Sequence, residues 1–275
     1  MRELKLNELK VNSAWKSKIE QLAHFTLAQA LSCIFPVAIF LSLALTKAFE
    51  LPGLPRYDLL LLLCILVQVF MYLSKLETLD EVKVILVFHL IGLCLELFKT
   101  HSGSWSYPDF AYTKISGVPL YSGFLYSSVA SYMCQAWRRL DLKLIRYPRA
   151  VIAFPFAVCI YANFFTEHFF PDMRMFLIPL VFIVFLRSKV EYTVLGFTRT
   201  MPLSISFLLI GLFVWFAENI STFLNAWQYP YQSGKWCMVH SSKISSWFLL
   251  VIISFIVVAQ LKHVKEKLVE RAKHL

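Results

Sequence analysis

The chain has 275 residues, of which 58% are hydrophobic and 16% are charged. A soluble globular domain carries about 25% charged residues, so this composition, with a mean hydropathy of +0.63, excludes an ordinary soluble domain. The formal charge of +10 is spread over short loops and tails between apolar runs. This distribution argues against nucleic-acid binding and favours a membrane protein whose basic residues set its orientation.

Residues 1–20 predict a basic amphipathic helix that lies on the membrane surface. Leu4, Trp15 and Ile19 recur at near-helical spacing with lysines between them. A helix with one apolar and one cationic face binds the interface between lipid and water rather than crossing the bilayer. The basic tail at 263–275 has the same pattern, so both ends of the chain are predicted to rest on the membrane.

Eight apolar runs lie between these ends, and they approach the length of about 20 residues that spans a bilayer. The fourth run is the most polar because it carries several Ser and Tyr side chains, and such a helix faces protein or a cavity rather than lipid. The sequence therefore predicts an all-α, polytopic membrane helix bundle with eight transmembrane helices. The runs lie at roughly 24–47, 57–74, 82–99, 119–137, 150–169, 173–188, 202–221 and 243–262.

The basic residues fall unevenly on the two sides of such a bundle. The side that holds both termini collects 20 of the 27 Lys and Arg residues. Because cytoplasmic loops are enriched in Lys and Arg, both termini are predicted to be cytoplasmic. The protein is accordingly expected in a bacterial plasma or inner membrane, with the lipid bilayer as its partner.

One sequence pattern occurs twice in the chain. Glu-x8-Trp-x-Tyr-Pro begins at Glu96 and again at Glu218, 122 residues later. The same offset of 122 residues aligns the first, third and fourth apolar runs with the fifth, seventh and eighth. Each half then holds four spans, so the halves share one orientation and form a parallel repeat about an axis along the membrane normal. We expect membrane repeat A at 21–147, membrane repeat B at 148–262, and a site between them.

Ionisable groups at membrane depth are costly and are therefore candidates for a functional site. Glu96 and Glu218 close the third and seventh runs, and His89 lies seven residues before Glu96 on the same helical face. The remaining candidates fall near the same, non-cytoplasmic end of the spans. They are His101, Trp105, Tyr107, Asp109, Glu167, His168, Trp227 and Tyr229.

Structural roles explain several of these residues separately. Glu96 can pair with Lys99 at the interface, Glu218 can be a solvated helix end, and His89 can be a core histidine bonded to a backbone carbonyl. The four Trp and Tyr residues are also typical of an interfacial aromatic belt. A belt does not require the same Glu spacing in both copies, however, so the repeat favours a site.

Metal and cofactor motifs are missing from the sequence. His101, His168, Glu96 and Glu167 could be drawn together as ligands, but no H-x-x-H, H-E-x-x-H or C-x-x-C spacing supports a metal site. Phosphate-cradling Gly-rich loops and nucleophilic triads are likewise not visible. We therefore predict no cofactor.

Three segments carry a resemblance to a known family. At 99–109, 117–123 and 135–139 the chain reads Lys-Thr-His-Ser-Gly-Ser-Trp-Ser-Tyr-Pro-Asp, Gly-Val-Pro-Leu-Tyr-Ser-Gly and Gln-Ala-Trp-Arg-Arg. With these segments the chain resembles the bacterial membrane family called domain of unknown function 817, over nearly its whole length. The resemblance implies a class of membrane protein rather than a mechanism.

A shorter segment is similar to membrane-embedded carotenoid hydratases and small lycopene cyclases. Glu96 ends a span, Gly-x-Trp-x-Tyr follows at 103–107, and Gly-Val-Pro-Leu at 117–120 precedes a polar aromatic span. The second copy departs from this pattern, with Met-Val-His-Ser at 238–241. The similarity implies an acid-catalysed reaction of an alkene.

Under that hypothesis Glu96 protonates a double bond of an apolar isoprenoid or lipid, because apolar surroundings keep a carboxylic acid neutral and able to donate. Glu218 is its partner or the general base, and Asp109 or His101 positions water. Aromatic faces stabilise the resulting cation. The predicted substrate-binding residues are Trp105, Tyr107, Trp227, Tyr229, His89, Glu167 and His168.

Two other classes of function fit the same architecture. A proton-coupled transporter of small solutes, or a ligand-binding membrane protein, also places its site between parallel repeats. Rocking transport needs broken or polar segments in corresponding spans, and Pro36 and Pro155 lie in the first and fifth runs. A third hypothesis is a structural membrane protein whose repeat serves assembly.

Overall fold

The computed structural model describes residues 2–49, 51–166 and 169–273, with side chains described between residues 17 and 262. Helices dominate these residues, which confirms the prediction of an all-α architecture. The helices are α1 Arg2–Ser32, α2 Ile34–Ala48, α3 Arg56–Leu73, α4 Leu79–His101, α5 Ser122–Arg139, α6 Ala150–Thr166, α7 Arg174–Val184, α8 Leu203–Phe223 and α9 Lys243–Lys273.

Each of the eight apolar runs contains a helix, but the first run is broken. Helices α1 and α2 meet at Cys33 with a bend of 58°. Pro36 accounts for the break, because a proline ring clashes with the carbonyl four residues earlier, here that of Ser32, and offers no N–H to it. Helix α1 is continuous from Arg2, so the backbone has no boundary at residue 20 between a surface helix and a span.

Within the described residues, three helices are long and apolar enough to cross a membrane, namely α3, α8 and Lys243–Lys262 of α9. The bent pair α1 and α2 adds a fourth if it forms one span, and α6 and α7 are shorter apolar helices. Several apolar helices thus indicate a membrane protein. The count of eight spans and the two repeats stay predictions.

Two small antiparallel sheets were not predicted from the sequence. One pairs β1 Lys114–Ile115 with β2 Val118–Pro119, and the other contains β3 Lys143–Ile145, β4 Lys189–Val194 and β5 Phe197–Pro202. Strand β3 pairs with β4, so the connections after α5 and after α7 lie together at one end of the bundle. We call this the sheet end, and we call the opposite end, with residues 102–121 and 224–242, the loop end.

Glycines allow corresponding helix pairs to pack closely. Gly92 of α4 lies against the Tyr126 side chain of α5, and Gly211 of α8 lies against the backbone of Phe248 of α9. Tyr126 and Phe248 are 122 residues apart, but Gly92 and Gly211 are 119 residues apart and are therefore not equivalents under the 122-residue offset. The α4–α5 and α8–α9 pairs thus both approach closely through a glycine, at different positions of the pattern.

Substitution of Gly211 by Ala tests this packing. A Cβ atom there would lie 2.9 Å from Cα and N of Phe248, so α8 and α9 must move apart, and we expect a loss of about 1–3 kcal/mol. Thermal unfolding in detergent measures it. Ser206→Ala in the same helix is the control, with a change expected within about 0.5 kcal/mol; equal stability of both variants would contradict the close approach.

Reporter fusions test the membrane topology. We expect a reporter that is active only in the cytoplasm to work when fused after Arg146, at the sheet end, and to fail after Ser233, at the loop end. The reason is the excess of Lys and Arg on the sheet side of the bundle. A phosphatase that is active only outside the cytoplasm should give the reverse pattern, and activity of one reporter at both positions would overturn the predicted orientation.

Candidate functional site

The two copies of the repeated pattern end their helices in the same way. After α4 the backbone turns at Gly103 (φ 73°), and after α8 it turns at Asn225 (φ 58°). The N–H of Ser104 then donates to the carbonyl of Lys99 at 2.9 Å, and that of Ala226 to Ser221 at 2.9 Å. These are matched left-handed helix caps, 122 residues apart, and each turns the following loop back over its helix.

Glu96 of α4 is the centre of the first copy and is only 5% exposed. Its Oε2 accepts hydrogen bonds from Trp105 Nε1 at 2.6 Å and from the Tyr107 hydroxyl at 2.7 Å. Its Oε1 accepts one from the Tyr126 hydroxyl of α5 at 2.8 Å. The carboxylate thereby holds its own loop and the next helix.

Glu218 of α8 plays the equivalent part in the second copy and is 4% exposed. The Tyr229 hydroxyl donates to its Oε1 at 2.5 Å, as Tyr107 does in the first copy. Its other oxygen accepts from Trp247 Nε1 of α9 at 2.7 Å. Trp227, the sequence equivalent of Trp105, is instead buried in the apolar core near this end.

Tyr and Trp side chains are the hydrogen-bond donors to both glutamates, and the charge of Lys243 also acts on Glu218. Among the residues that the structure describes, no Lys, Arg or His nitrogen lies within 4.0 Å of either carboxylate. The pairing of Glu96 with Lys99 is thus not found in that part of the chain. Buried charge that lacks an ion pair depends on its hydrogen-bond donors, which here are Tyr and Trp side chains.

The tyrosines of the two loops stay protonated donors. Burial raises the pKa of Tyr107 and of Tyr229 well above its usual value, and the neighbouring glutamate raises each further. Both hydroxyls therefore keep their protons at physiological pH. They donate to the glutamates whenever those are ionised.

The two copies meet directly at the loop end. Ser106 and Gln228, the middle residues of the two Trp-x-Tyr motifs, pair as an antiparallel bridge with both N···O distances at 2.9 Å. Antiparallel pairing of equivalent residues is the geometry of a local twofold axis. We call the residues around it the glutamate centre: Glu96, Trp105, Tyr107, Tyr126, Glu218, Tyr229 and Trp247.

Ring contacts cross from one copy to the other inside this centre. The ring centroids of Trp105 and Tyr229 lie 6.0 Å apart with the rings nearly perpendicular, and those of Tyr126 and Trp247 lie 6.3 Å apart. Lys243, the first residue of α9, places its Nζ 5.4 Å from the Trp105 ring centroid and 5.0 Å from that of Tyr229. Trp105 and Tyr229 thus form a face that binds a cation.

Cations from the first half also hold the end of α8. Arg56 donates to the carbonyls of Leu224 at 2.6 Å and Asn225 at 2.9 Å, and Lys47 donates to that of Phe223 at 2.6 Å. Positive side chains at a helix C-terminus satisfy its free carbonyls and its dipole. This contact fixes Glu218 relative to the first half.

The structure does not bring every predicted residue to the glutamate centre. Asp109 is 41% exposed and lies 3.4 Å from Arg56, and His101 is exposed at the last position of α4. Neither contacts Glu96 or Glu218 among the described hydrogen bonds. Glu167 and His168 lie outside the described residues.

His89 lies within the α4–α5 interface rather than in the glutamate centre. Its ring packs against Gly123 of α5 and edge-on to Phe124, with centroids 4.7 Å apart. Its Nδ1 is buried and has no hydrogen-bond partner among the residues that the structure describes. The expected bond from a core histidine to a backbone carbonyl is therefore not made by this nitrogen.

Sequence reasoning missed Tyr126, Trp247 and Lys243 as members of the site. Tyr126 belongs to the polar fourth run, and that polarity is a signal for a helix that faces protein. Trp247 and Lys243 lie after the second copy of the repeated pattern. The residues 122 positions before them are Leu125 and Tyr121, which are of different types. The repeat alone therefore gave no indication of them.

The chemistry that the centre offers is proton transfer and cation binding. Within the described residues no group of three or more His, Cys, Asp or Glu side chains is placed to hold a metal ion. The glutamate centre brings together two carboxyl groups, three phenols and two indoles.

Comparison with known proteins assigns the chain to a family. A family model described as "Protein of unknown function (DUF817)" matches residues 21–255. The chain belongs to this family. It is also 59% identical, over 249 residues, to the Bacillus subtilis (strain 168) protein described as "Uncharacterized protein YoaT", an alignment that covers 90% of this chain and 94% of that protein. No solved structure matches this chain.

A double-mutant cycle tests the bond between Glu96 and Tyr107. Tyr107→Phe and Glu96→Gln should each lower the free energy of unfolding. The decrease in the double variant should be smaller than the sum of the two single decreases by about 1.5–3 kcal/mol, the strength of a hydrogen bond to a charged group. Unfolding in detergent gives the values. Tyr112→Phe, at a tyrosine that is 76% exposed, is the control, and additive effects of the first two substitutions would contradict the bond.

Proposed function

We propose that this DUF817 protein is a multi-pass membrane enzyme of the bacterial plasma membrane that protonates an apolar isoprenoid or lipid. The proton comes from the Glu96–Glu218 pair at the junction of the two repeats. Both termini are cytoplasmic in this proposal, and the glutamate centre lies near the opposite face. The similarity of 96–123 to carotenoid hydratases and small lycopene cyclases supports the same class of reaction.

The observation that carries the proposal is the pair of buried carboxyl groups bonded to neutral Tyr and Trp donors. Glu96 has three such donors and Glu218 has two. A carboxyl group held by an arginine or lysine is fixed in its ionised form, whereas one held by phenols and indoles can gain and lose a proton. Two carboxyl groups close together can share that work, one as acid and one as base.

The proposed reaction starts with transfer of a carboxyl proton to one carbon of an alkene. A C–H bond forms, the π bond breaks, and a tertiary carbocation and a glutamate carboxylate remain. Water then adds through its oxygen and returns a proton to the carboxylate, which gives a tertiary alcohol. Attack by a second double bond of the same substrate, followed by loss of a proton to the carboxylate, gives a ring instead.

The aromatic faces of the glutamate centre suit the cationic intermediate. Trp105 and Tyr229 already hold the ammonium group of Lys243 at 5.4 and 5.0 Å, the range of a cation–π contact. A carbocation in the same position would gain the same stabilisation. Substrate binding then requires Lys243 to move away from these two rings.

Native mass spectrometry of the detergent-purified protein tests the enzyme. We expect a stoichiometric prenyl or polyene compound on the wild type, and a different ratio of alkene to alcohol or cyclic product on Glu96→Gln with Glu218→Gln. These substitutions keep the side-chain shape but cannot donate a carboxyl proton. Lys235→Gln, outside the centre, is the control, and bulk phospholipid alone on all three proteins would contradict the proposal.

Proton-coupled transport of a small solute is the alternative, and a specific observation favours it. The first apolar run breaks at Cys33, and the residue 122 positions later, Pro155, lies inside α6. Gly- or Pro-interrupted segments in corresponding spans of two repeats are a feature of rocking transporters; here the first run is broken, and α6 carries a proline but is continuous from Ala150 to Thr166. Uptake of solutes into liposomes with a pH-sensitive dye inside tests this, and a solute-dependent proton signal that Glu96→Gln abolishes would favour transport over the enzyme.

A further inference from the structure

The α4–α5 interface contains a line of polar groups that the corresponding α8–α9 interface lacks. Its members run from the sheet end of the bundle to the glutamate centre. They are Glu77, Ser131, Ser127, His89, Ser122, Tyr126 and Glu96. We call this line the polar seam.

The first contact of the polar seam lies at the sheet end. Glu77, just before α4, accepts hydrogen bonds from Ser131 of α5 and from Gln68 of α3, the latter at 2.6 Å. Burial raises the pKa of Glu77 above its usual range, although these two donors and Arg138 act in the opposite direction, and Glu81 adds to the rise. Glu77 is the carboxyl group of the polar seam at this end.

The middle of the polar seam is marked by buried polar atoms without partners. His89 Nδ1 is one of them, and Ser122 Oγ, on a residue with 0% exposure, is another. Gly123 lies against the His89 ring, and its carbonyl accepts from Ser127 Oγ at 3.1 Å. Each buried polar atom that has no partner within the described part of the chain needs an explanation.

The upper part of the polar seam ends on Glu96. Tyr126 packs on Gly92, three residues beyond His89, and its hydroxyl donates to Glu96 Oε1 at 2.8 Å. Ser122 and Tyr126 are four residues apart and share one face of α5. Ser127 and Ser131 are likewise four residues apart, so within α5 these groups are separated by about one helical turn, ~5.4 Å, a distance that one bridging water can cover.

Packing alone does not account for the polar seam. Small residues let helices approach closely in membranes, but α8 and α9 achieve the same approach with apolar groups. The positions 122 residues after His89, Ser122, Tyr126, Ser127 and Ser131 are Gly211, Ile244, Phe248, Leu249 and Ile253. The polar groups are thus confined to one of two similar interfaces, the one that leads to Glu96.

We propose that protons pass between the sheet end of the bundle and Glu96 along the polar seam, with His89 as the titratable relay in its middle. The inference rests on the proposed role of Glu96 as a group that gains and loses a proton. Glu81, Arg138 and Lys262 lie at the entrance, where Arg138 and Lys262 are paired with Glu81 at 3.3 and 2.9 Å. At the other end, in the glutamate centre, Glu218 is the charged group near Glu96. The described α8–α9 interface has no corresponding line of polar groups that leads to Glu218.

Infrared spectroscopy of the full chain in lipid tests the polar seam. The carboxyl stretching band of Glu96, identified by its loss in Glu96→Gln, shifts when its proton is exchanged for deuterium. We expect His89→Phe, which keeps a ring against Gly123 but cannot carry a proton, to slow this exchange at least tenfold, equivalent to about 1.4 kcal/mol in barrier. Ser127→Ala and Glu77→Gln should slow it in the same direction.

Two substitutions outside the polar seam are the controls. His101→Gln removes an exposed histidine at the end of α4, and Ser254→Ala removes a buried serine of α9 whose hydroxyl donates to the Leu250 carbonyl at 3.1 Å. Neither should change the exchange rate. If His89→Phe does not fold, the exchange rates of Ser127→Ala and Glu77→Gln provide the test.

The outcomes separate the inference from the proposed function. The route is overturned if the Glu96 band exchanges as fast as in the wild type in all three seam variants, His89→Phe, Ser127→Ala and Glu77→Gln. Glu96 would then still be a group that binds a proton. The lack of any exchangeable Glu96 band in the wild type would overturn both. Slower exchange in the seam variants alone, with unchanged controls, supports the route.

Discussion

The hydrogen bond from a loop tyrosine to a buried glutamate is the interaction on which this structure depends. A carboxylate in an apolar interior is expensive unless its oxygens are satisfied, and here Tyr107 satisfies Glu96 and Tyr229 satisfies Glu218. Each bond draws a loop back onto the helix that precedes it. The two returned loops then pair through Ser106 and Gln228, so the junction of the halves follows from the two carboxylates.

The halves share a scaffold and differ in what surrounds it. The helix caps at Gly103 and Asn225 recur at matched positions, and in each half a glycine lets one helix pack against the next, at Tyr126 and at Phe248. The second donor to each glutamate does not recur, since Trp105 comes from the loop and Trp247 from the next helix. The matched caps are what the predicted duplication would leave, and the unmatched donors give the two carboxyl groups unequal surroundings.

The helices could be predicted from the sequence because hydrophobic length is a local signal, and every predicted run contains a helix. The three-stranded sheet could not, because its strands have three to six residues and its hairpin turns at Leu195-Gly196 rather than at Asn-Gly. The glutamate and tyrosine of each copy were predicted from their repeated spacing. Contacts of Trp247 and Lys243 depend on how distant helices pack, which spacing within one segment does not encode.

The contacts of Lys47 and Arg56 with the end of α8 bear on how the chain assembles during synthesis. Both cations belong to the first half, and the carbonyls of Phe223, Leu224 and Asn225 that they bind are made about 170 residues later. Until these residues have been made, Arg56 can pair with Asp109 of its own half, while Lys47 can reach water or lipid headgroups with its ammonium group. The contacts with the end of α8 can form only after Asn225 has been synthesised, so the joining of the two halves at this point is a late step in the assembly of the bundle.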